Sequence, residues 1–107
     1  MAEKRTFPRL KKRLIVEFVS EGVLRTGFTR DVSHTGLFVA AAHLPKMGES
    51  LSVTLNLGEG KKISVEGTVV RGHRAPTSLS FSEPTGFSFE LHGYSEEFTR
   101  YLSSLHR

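Results

Sequence analysis

The sequence contains no cysteine and no tryptophan, and only two of its 107 residues are tyrosine. Without cysteine the chain has no disulfide, no thiol nucleophile and no thiolate ligand for zinc. No apolar run approaches the ~20 residues that a membrane-spanning helix needs, so membrane insertion is not predicted. The first nine residues are charged and lack the apolar stretch of a secretory signal peptide, which leads us to expect a cytoplasmic protein.

No group of residues has the spacing of a catalytic or metal site. Asp31, Ser33 and His34 include the residue types of a hydrolase triad, but neighbours on an extended chain point to opposite faces. Residues 58–61 lack the length and the following helix of a phosphate-binding loop. The five histidines are scattered along the chain, at His34, His43, His73, His92 and His106. We therefore predict a protein that is not an enzyme and that holds no metal or cofactor.

Positive charge is concentrated at the N-terminus. Residues 1–13 contain six basic side chains against Glu3, whereas the rest of the chain has nine basic and ten acidic side chains. All of the net charge of +4 therefore comes from this segment. A basic segment of this kind is typical of binding to an anionic partner, although a solvated tail has the same composition.

The remainder of the chain shows the two-residue period of β-strands. Apolar residues alternate with polar ones over 51–57 and 63–69, and Gly58-Glu59-Gly60 between them predicts a hairpin turn. A second hairpin is predicted over 13–20 and 23–31, with short strands at 37–39 and 87–91. Residues 72–86 are rich in Gly, Pro, Ser and Thr, and we expect them to form an irregular connection.

Only the last segment has a helical pattern. Ser95 is a suitable N-cap, and Glu96 and Glu97 suit the positive end of a helix. The apolar residues that follow have the spacing of one helical face, at Phe98, Tyr101, Leu102 and Leu105. The predicted fold is mainly β, a six-stranded antiparallel β-barrel with a C-terminal α-helix. In this prediction, residues 13–107 form this barrel domain with its helix, and residues 1–12 form a flexible basic arm before it.

Two short motifs have residue types suited to a guanine nucleotide. Arg5 and Arg9 are spaced Arg-x-x-x-Arg, and a guanidinium can stack on a base or donate paired hydrogen bonds to guanine or phosphate. Asp31, Ser33 and Gly36 are spaced Asp-x-Ser-x-x-Gly at a strand end, where a carboxylate can accept the N–H donors of guanine. Taken alone, the second motif is more typical of an ordinary polar turn than of a binding site.

The order of these motifs, with a hairpin between them, resembles the PilZ family. The resemblance extends to residues 67–71, to the strand at 86–89 and to the acidic start of the terminal helix. It implies a receptor for cyclic di-GMP that signals to a protein partner and does not bind nucleic acid. The implied ligand-binding residues are Lys4, Arg5, Arg9, Asp31, Ser33 and Gly36.

Two features leave alternatives open. Many family members have a third arginine where this chain has Lys4, so the resemblance is compatible with one cyclic di-GMP or with a stacked pair in the site. Some members act purely as protein-interaction modules, but those have lost the motifs that this chain keeps. A small barrel that binds single-stranded nucleic acid would need aromatic residues among basic ones on its sheet, and this composition provides few.

Overall fold

The computed structural model describes residues 10–75, 85–93 and 95–105. These residues form seven β-strands and one α-helix. In chain order they are β1 (Leu10–Lys11), β2 (Ile15–Ser20), β3 (Val23–Val32), β4 (Gly36–Ala40), β5 (Ser50–Gly58), β6 (Lys61–His73), β7 (Gly86–Leu91) and α1 (Glu96–Leu105).

Six of the strands close into an antiparallel barrel. The hydrogen-bonded order is β3-β2-β5-β6-β7-β4, and pairing of β4 with β3 completes the ring. The short β1 lies outside this ring and pairs with the end of β3 that β2 does not reach. The predicted six-stranded barrel is confirmed, and β1 is an additional strand.

The two hairpins form where the sequence predicts them. The strand pair β5–β6 turns at Glu59-Gly60, and β2–β3 turns at Glu21-Gly22. All four of these turn residues have positive φ, between 54° and 76°. Positive φ at both turn residues matches the twist of the adjoining strands, and glycine adopts it without steric cost.

The interior of the barrel is filled by the apolar residues of the alternating pattern. Phe87 lies edge-on to both Phe18 and Phe89, with ring centroids 5.3 and 6.5 Å apart. The largest fully buried side chains come from all six barrel strands and from the helix, at Phe18, Phe87, Phe89, Phe98, Leu37, Leu55, Leu102, Val16, Val32, Val39, Val53 and Val69. One contiguous core therefore supports both the barrel and the helix that packs on it.

Helix α1 begins as the sequence predicts. The Ser95 side chain accepts a hydrogen bond from the backbone N–H of Phe98 at 3.2 Å, which makes it the N-cap. Phe98 and Leu102 are buried, while Tyr101 and Leu105 on the same face are half-buried against the core. Within the described ranges, no helix combines the length and the apolar character needed to cross a membrane.

The predicted loop over residues 72–86 is wrong at both of its ends. Gly72 and His73 continue β6 and pair with Phe87 and Gly86 of β7. Glycine and polar residues are poor strand formers, so the local composition does not predict a strand here. The extension of β6 is stabilised by its pairing with β7. Residues 76–84 of the predicted connection lie outside the described residues.

Candidate functional site

Strand β1 places the C-terminal end of the basic arm beside the Asp-x-Ser-x-x-Gly motif. Lys11 pairs with Asp31, and Leu10 pairs with Val32. The backbone N–H of Lys12 also donates to the carbonyl of Arg30 at 3.3 Å. Lys4, Arg5 and Arg9 lie outside the described residues. The structure therefore fixes where the arm joins the barrel, at the strand end that holds the predicted Asp-x-Ser turn.

A buried threonine anchors the segment between β1 and β2. The Thr29 hydroxyl donates to the carbonyl of Lys12 at 2.6 Å and accepts from the N–H of Leu14 at 2.9 Å. The Thr29 N–H donates in turn to the carbonyl of Leu14 at 2.9 Å. These three bonds satisfy the backbone groups of a segment that is not itself a strand.

Asp31 is half-buried at a break in strand register. Thr29 pairs with Val39 and Asp31 with Phe38, so Arg30 is the extra residue of a β-bulge. Arg30 donates from Nε to Oδ2 of Asp31 at 3.1 Å. Only 13% of the Asp31 side chain is exposed, compared with 51% for Arg30. The Asp31 carboxylate is thus held beside a cation at the edge of the barrel.

Ser33 and Gly36 form the turn between β3 and β4. The Ser33 hydroxyl donates to the Gly36 carbonyl at 3.1 Å, and the Ser33 N–H donates to the same oxygen at 2.8 Å. A hydroxyl has a single proton to donate, so this contact favours a structural role for Ser33. A Cβ added to Gly36 would lie 2.5 Å from the Phe89 carbonyl oxygen, which explains why glycine is needed here.

An open groove of about 540 Å³ lies beside this turn on the outer face of the barrel. Phe38 of β4 pairs with Ser88 of β7, which pairs with Arg71 of β6, so the three form one row across the sheet. The Arg30 guanidinium lies 4.0 Å above the centroid of the Phe38 ring. Glu90 closes the other end of the groove, opposite Gly36 in the strand register.

The sequence analysis missed the basic residues of this groove. Arg30 precedes the Asp-x-Ser motif directly, and its bulge is not visible in the alternating pattern. Arg71 appears only as the end of a strand segment in the sequence. Outside this groove, Arg13 is an exposed residue in the segment between β1 and β2, and its guanidinium lies 3.8 Å from the centroid of the Phe28 ring.

A second groove lies between the β5–β6 turn and α1. Its volume is about 590 Å³, and Lys61, Lys62, Arg100 and Tyr101 are among the residues that line it. Burial raises the pKa of the Tyr101 hydroxyl above its ordinary value. None of the predicted site residues lies there, so the groove beside Gly36 is the better candidate. Over residues 10–75, 85–93 and 95–105, no cluster of three or more His, Asp or Glu side chains could hold a metal ion.

The model of the PilZ domain family matches residues 3–104, which is nearly the whole chain. This chain belongs to the PilZ family. Solved structures similar to this PilZ domain include the Bacillus subtilis inhibitor of motility MotI/DgrA, with a TM-score of 0.75 and 22% identity. The alignment covers 94% of this chain and 48% of that one, so the present chain spans about half the length of MotI.

Two further similar structures are PilZ domains by their descriptions. The PilZ domain of Escherichia coli YcgR, solved with c-di-GMP, has a TM-score of 0.73 and 12% identity over 96% of this chain and 88% of that one. The PilZ domain of CeSA from a cellulose-synthesizing bacterium has a TM-score of 0.66 and 18% identity over 94% and 99%. At these identities the structures show the shared fold. A search of curated proteins gave no match.

Proposed function

We propose that this PilZ domain is a non-enzymatic receptor for cyclic di-GMP that signals to a protein partner in a bacterial cytoplasm. The observation that carries the proposal is the pairing of β1 with the end of β3, where Lys11 lies opposite Asp31. The YcgR PilZ domain, which has the same fold, was solved with this ligand.

The chain connectivity makes the arm and the turn a single site in this proposal. Arg9 is covalently next to Leu10, whose partner Val32 directly precedes Ser33. Arg5 is five residues from Leu10, and an extended chain of that length reaches about 17 Å. Both arginines can therefore contact a ligand bound beside Asp31, without any movement of the barrel.

Each proposed residue has a distinct role. Arg5 and Arg9 enclose guanine and phosphate, because a guanidinium can stack on a base and donate paired hydrogen bonds. Asp31 accepts from the N1–H and N2–H₂ groups of guanine, and Lys4 adds charge. Ser33 and Gly36 shape the turn on which the ligand rests, with the Ser33 hydroxyl oxygen as a further polar contact.

The same arrangement suggests how binding is communicated. Ordering the arm costs roughly 1–2 kcal/mol of backbone entropy per residue, and few apolar residues in it can offset that cost. The two phosphates of the ligand supply negative charge for the basic side chains. Ligand binding would then draw the arm onto the barrel and create a surface for the partner.

Isothermal titration tests the proposal directly. The protein is titrated with cyclic di-GMP, and GTP and a single-stranded oligonucleotide serve as controls. Saturable binding of cyclic di-GMP, with little heat from either control, is the expected result. Absence of binding, or equal binding of the oligonucleotide, would contradict the receptor proposal.

The second candidate function is a PilZ-fold protein-interaction module with little or no nucleotide binding. It is favoured by apolar side chains on the outside of the β2–β3 hairpin, where Ile15, Val19 and Leu24 are 53%, 54% and 62% exposed. Val19 and Leu24 are cross-strand partners, so the exposed apolar surface is continuous there. A protein that fails to bind cyclic di-GMP but remains folded would favour this function.

A further inference from the structure

Two β-bulges border the groove beside Gly36. The β3–β4 register shifts between Thr29 and Asp31, and the β6–β7 register shifts between Val69 and Arg71. The extra residues, Arg30 and Val70, both line the groove. A bulge changes the direction of side chains relative to a regular strand, and bulges are frequent near functional sites. The bulges of the β3–β4 and β6–β7 pairs thus lie at the same groove.

The first bulge places Arg30 in a defined position. Its guanidinium lies over the Phe38 ring at 4.0 Å, and its Nε donates to Asp31 at 3.1 Å. The ring and the carboxylate together restrict a side chain that would otherwise sample many rotamers. Among the described residues, the Nη groups of Arg30 have no hydrogen-bond partner, so they can donate to an acceptor in the groove.

Arg71 lies at the opposite side of the same groove. It pairs with Ser88, and Ser88 pairs with Phe38, so all three share the outer face of the sheet. Arg30 belongs to β3, and three strand spacings of about 4.8 Å separate β3 from β6, so the two arginines stand roughly 14 Å apart at their strands. The Arg30 guanidinium reaches over Phe38 of β4, toward Arg71. Arg71 is exposed and has no ion pair within the described part of the chain.

We propose that Arg30 and Arg71, with the Ser88 hydroxyl between them, bind a phosphate of the cyclic dinucleotide. This inference rests on the proposed function and extends its site from the arm to the barrel wall. Planar guanidinium groups donate parallel N–H bonds that match phosphate oxygens. Glu90 at the other end of the groove repels a phosphate and can accept from guanine, so the charges orient the ligand with its phosphate at the arginine end.

The test compares substitutions that remove one positive charge inside and outside the groove. Arg71→Gln and Arg30→Gln are titrated with cyclic di-GMP beside the parent protein. Arg100→Gln is the matched control, because Arg100 is an exposed arginine on α1 whose ion-pair partner is Glu96. Each groove variant is expected to lose about tenfold in affinity, as the loss of one charged hydrogen bond predicts, while the control binds like the parent. The affinity of the groove variants should also fall less steeply with added NaCl.

Arg71→Gln is the decisive variant, since Arg30 also contacts Asp31 and its loss could act through that residue. Thermal unfolding of each variant checks the fold, and the charge reversal Arg71→Glu gives a second measure that should abolish binding. Parent-like affinity of either Arg71 variant, in a series where Arg5→Ala loses binding, would overturn this inference and leave the receptor proposal standing. A parent protein that does not bind cyclic di-GMP would overturn both.

Discussion

The hydroxyl of Thr29 lies 2.6 Å from the backbone carbonyl oxygen of Lys12, to which it donates a hydrogen bond. The same oxygen atom of Thr29 accepts from the N–H of Leu14, so one buried side chain serves two backbone groups of the segment between β1 and β2. This contact determines where the basic arm leaves the barrel. Within the part of the chain that the structure describes, β1 pairs with β3 at two residues, Leu10 and Lys11, so the anchor is central to the geometry of the proposed site.

Thr29→Val is expected to destabilise the protein. Valine keeps the shape of the side chain but leaves the Lys12 carbonyl and the Leu14 N–H without their partner, at a cost of ~1–3 kcal/mol. Urea unfolding measures the loss. Thr54→Val is the matched control, because the Thr54 hydroxyl contacts Ser64 on the exposed surface. Equal stability of the two variants would show that Thr29 does not anchor the segment.

Arg5→Ala and Arg9→Ala are each expected to weaken cyclic di-GMP binding at least about tenfold, because a charged hydrogen bond contributes ~1.5–3 kcal/mol. The thermal midpoint should not change, since both residues precede the first strand of the barrel. Isothermal titration gives the affinity, and Lys61→Ala on the distant β5–β6 hairpin controls for the loss of one positive charge. If both arm variants bind like the parent, the arm is not part of the site.

Asp31→Ala is expected to weaken the recognition of guanine. The carboxylate matches the donor edge of guanine, and adenine does not present the same donors, so cyclic di-AMP should bind the parent poorly. Competition titrations with the two dinucleotides measure this preference. Glu66→Ala controls for the loss of one negative charge, because Glu66 is an exposed residue of β6. Equal affinity of the parent for both dinucleotides would exclude a direct reading of the base by Asp31.

Ligand-dependent ordering of the arm is expected over residues 2–9. Amide hydrogen exchange with and without cyclic di-GMP measures it, and the β5–β6 hairpin over 51–71 provides the internal reference. Residues 10–12 should be protected in both states, because β1 and the Lys12 N–H are already paired with β3. Protection of residues 2–9 in the free protein would mean a preformed site, and the switch mechanism would be abandoned.

Gly36→Ala is expected to destabilise the barrel by ~1–3 kcal/mol, the usual cost of forcing extra volume into a packed site. The added Cβ would lie 2.5 Å from the Phe89 carbonyl oxygen, which cannot move without widening the β4–β7 pair. Gly72→Ala is the control, since its nearest neighbour is the end of the Leu44 side chain at 3.9 Å. Thermal unfolding that gives the same midpoint for both variants would contradict the close-approach argument.

The barrel could be predicted because local sequence patterns specify its strands and turns. Alternating residues such as Val53 and Leu55, and turns such as Glu59-Gly60, identify strands and hairpins without knowledge of their partners. The pairing of Gly72 and His73 with β7 could not be predicted, because it depends on a strand distant in sequence. The Asp-x-Ser motif lies beside the candidate groove, but the bulge that directs Arg30 into that groove leaves no periodic signal in the sequence.

The pairing of β4 with β7 has a consequence for how the protein folds. Leu37 pairs with Phe89, so closing the barrel joins residues about fifty positions apart, and contacts of such long sequence separation form slowly. The groove takes residues from β3, β4, β6 and β7, so it exists only after the ring has closed. A chain that is still being synthesised, or one truncated before β7, lacks this surface even when its two hairpins are formed. Binding at this groove would therefore report that synthesis and folding of the barrel are complete.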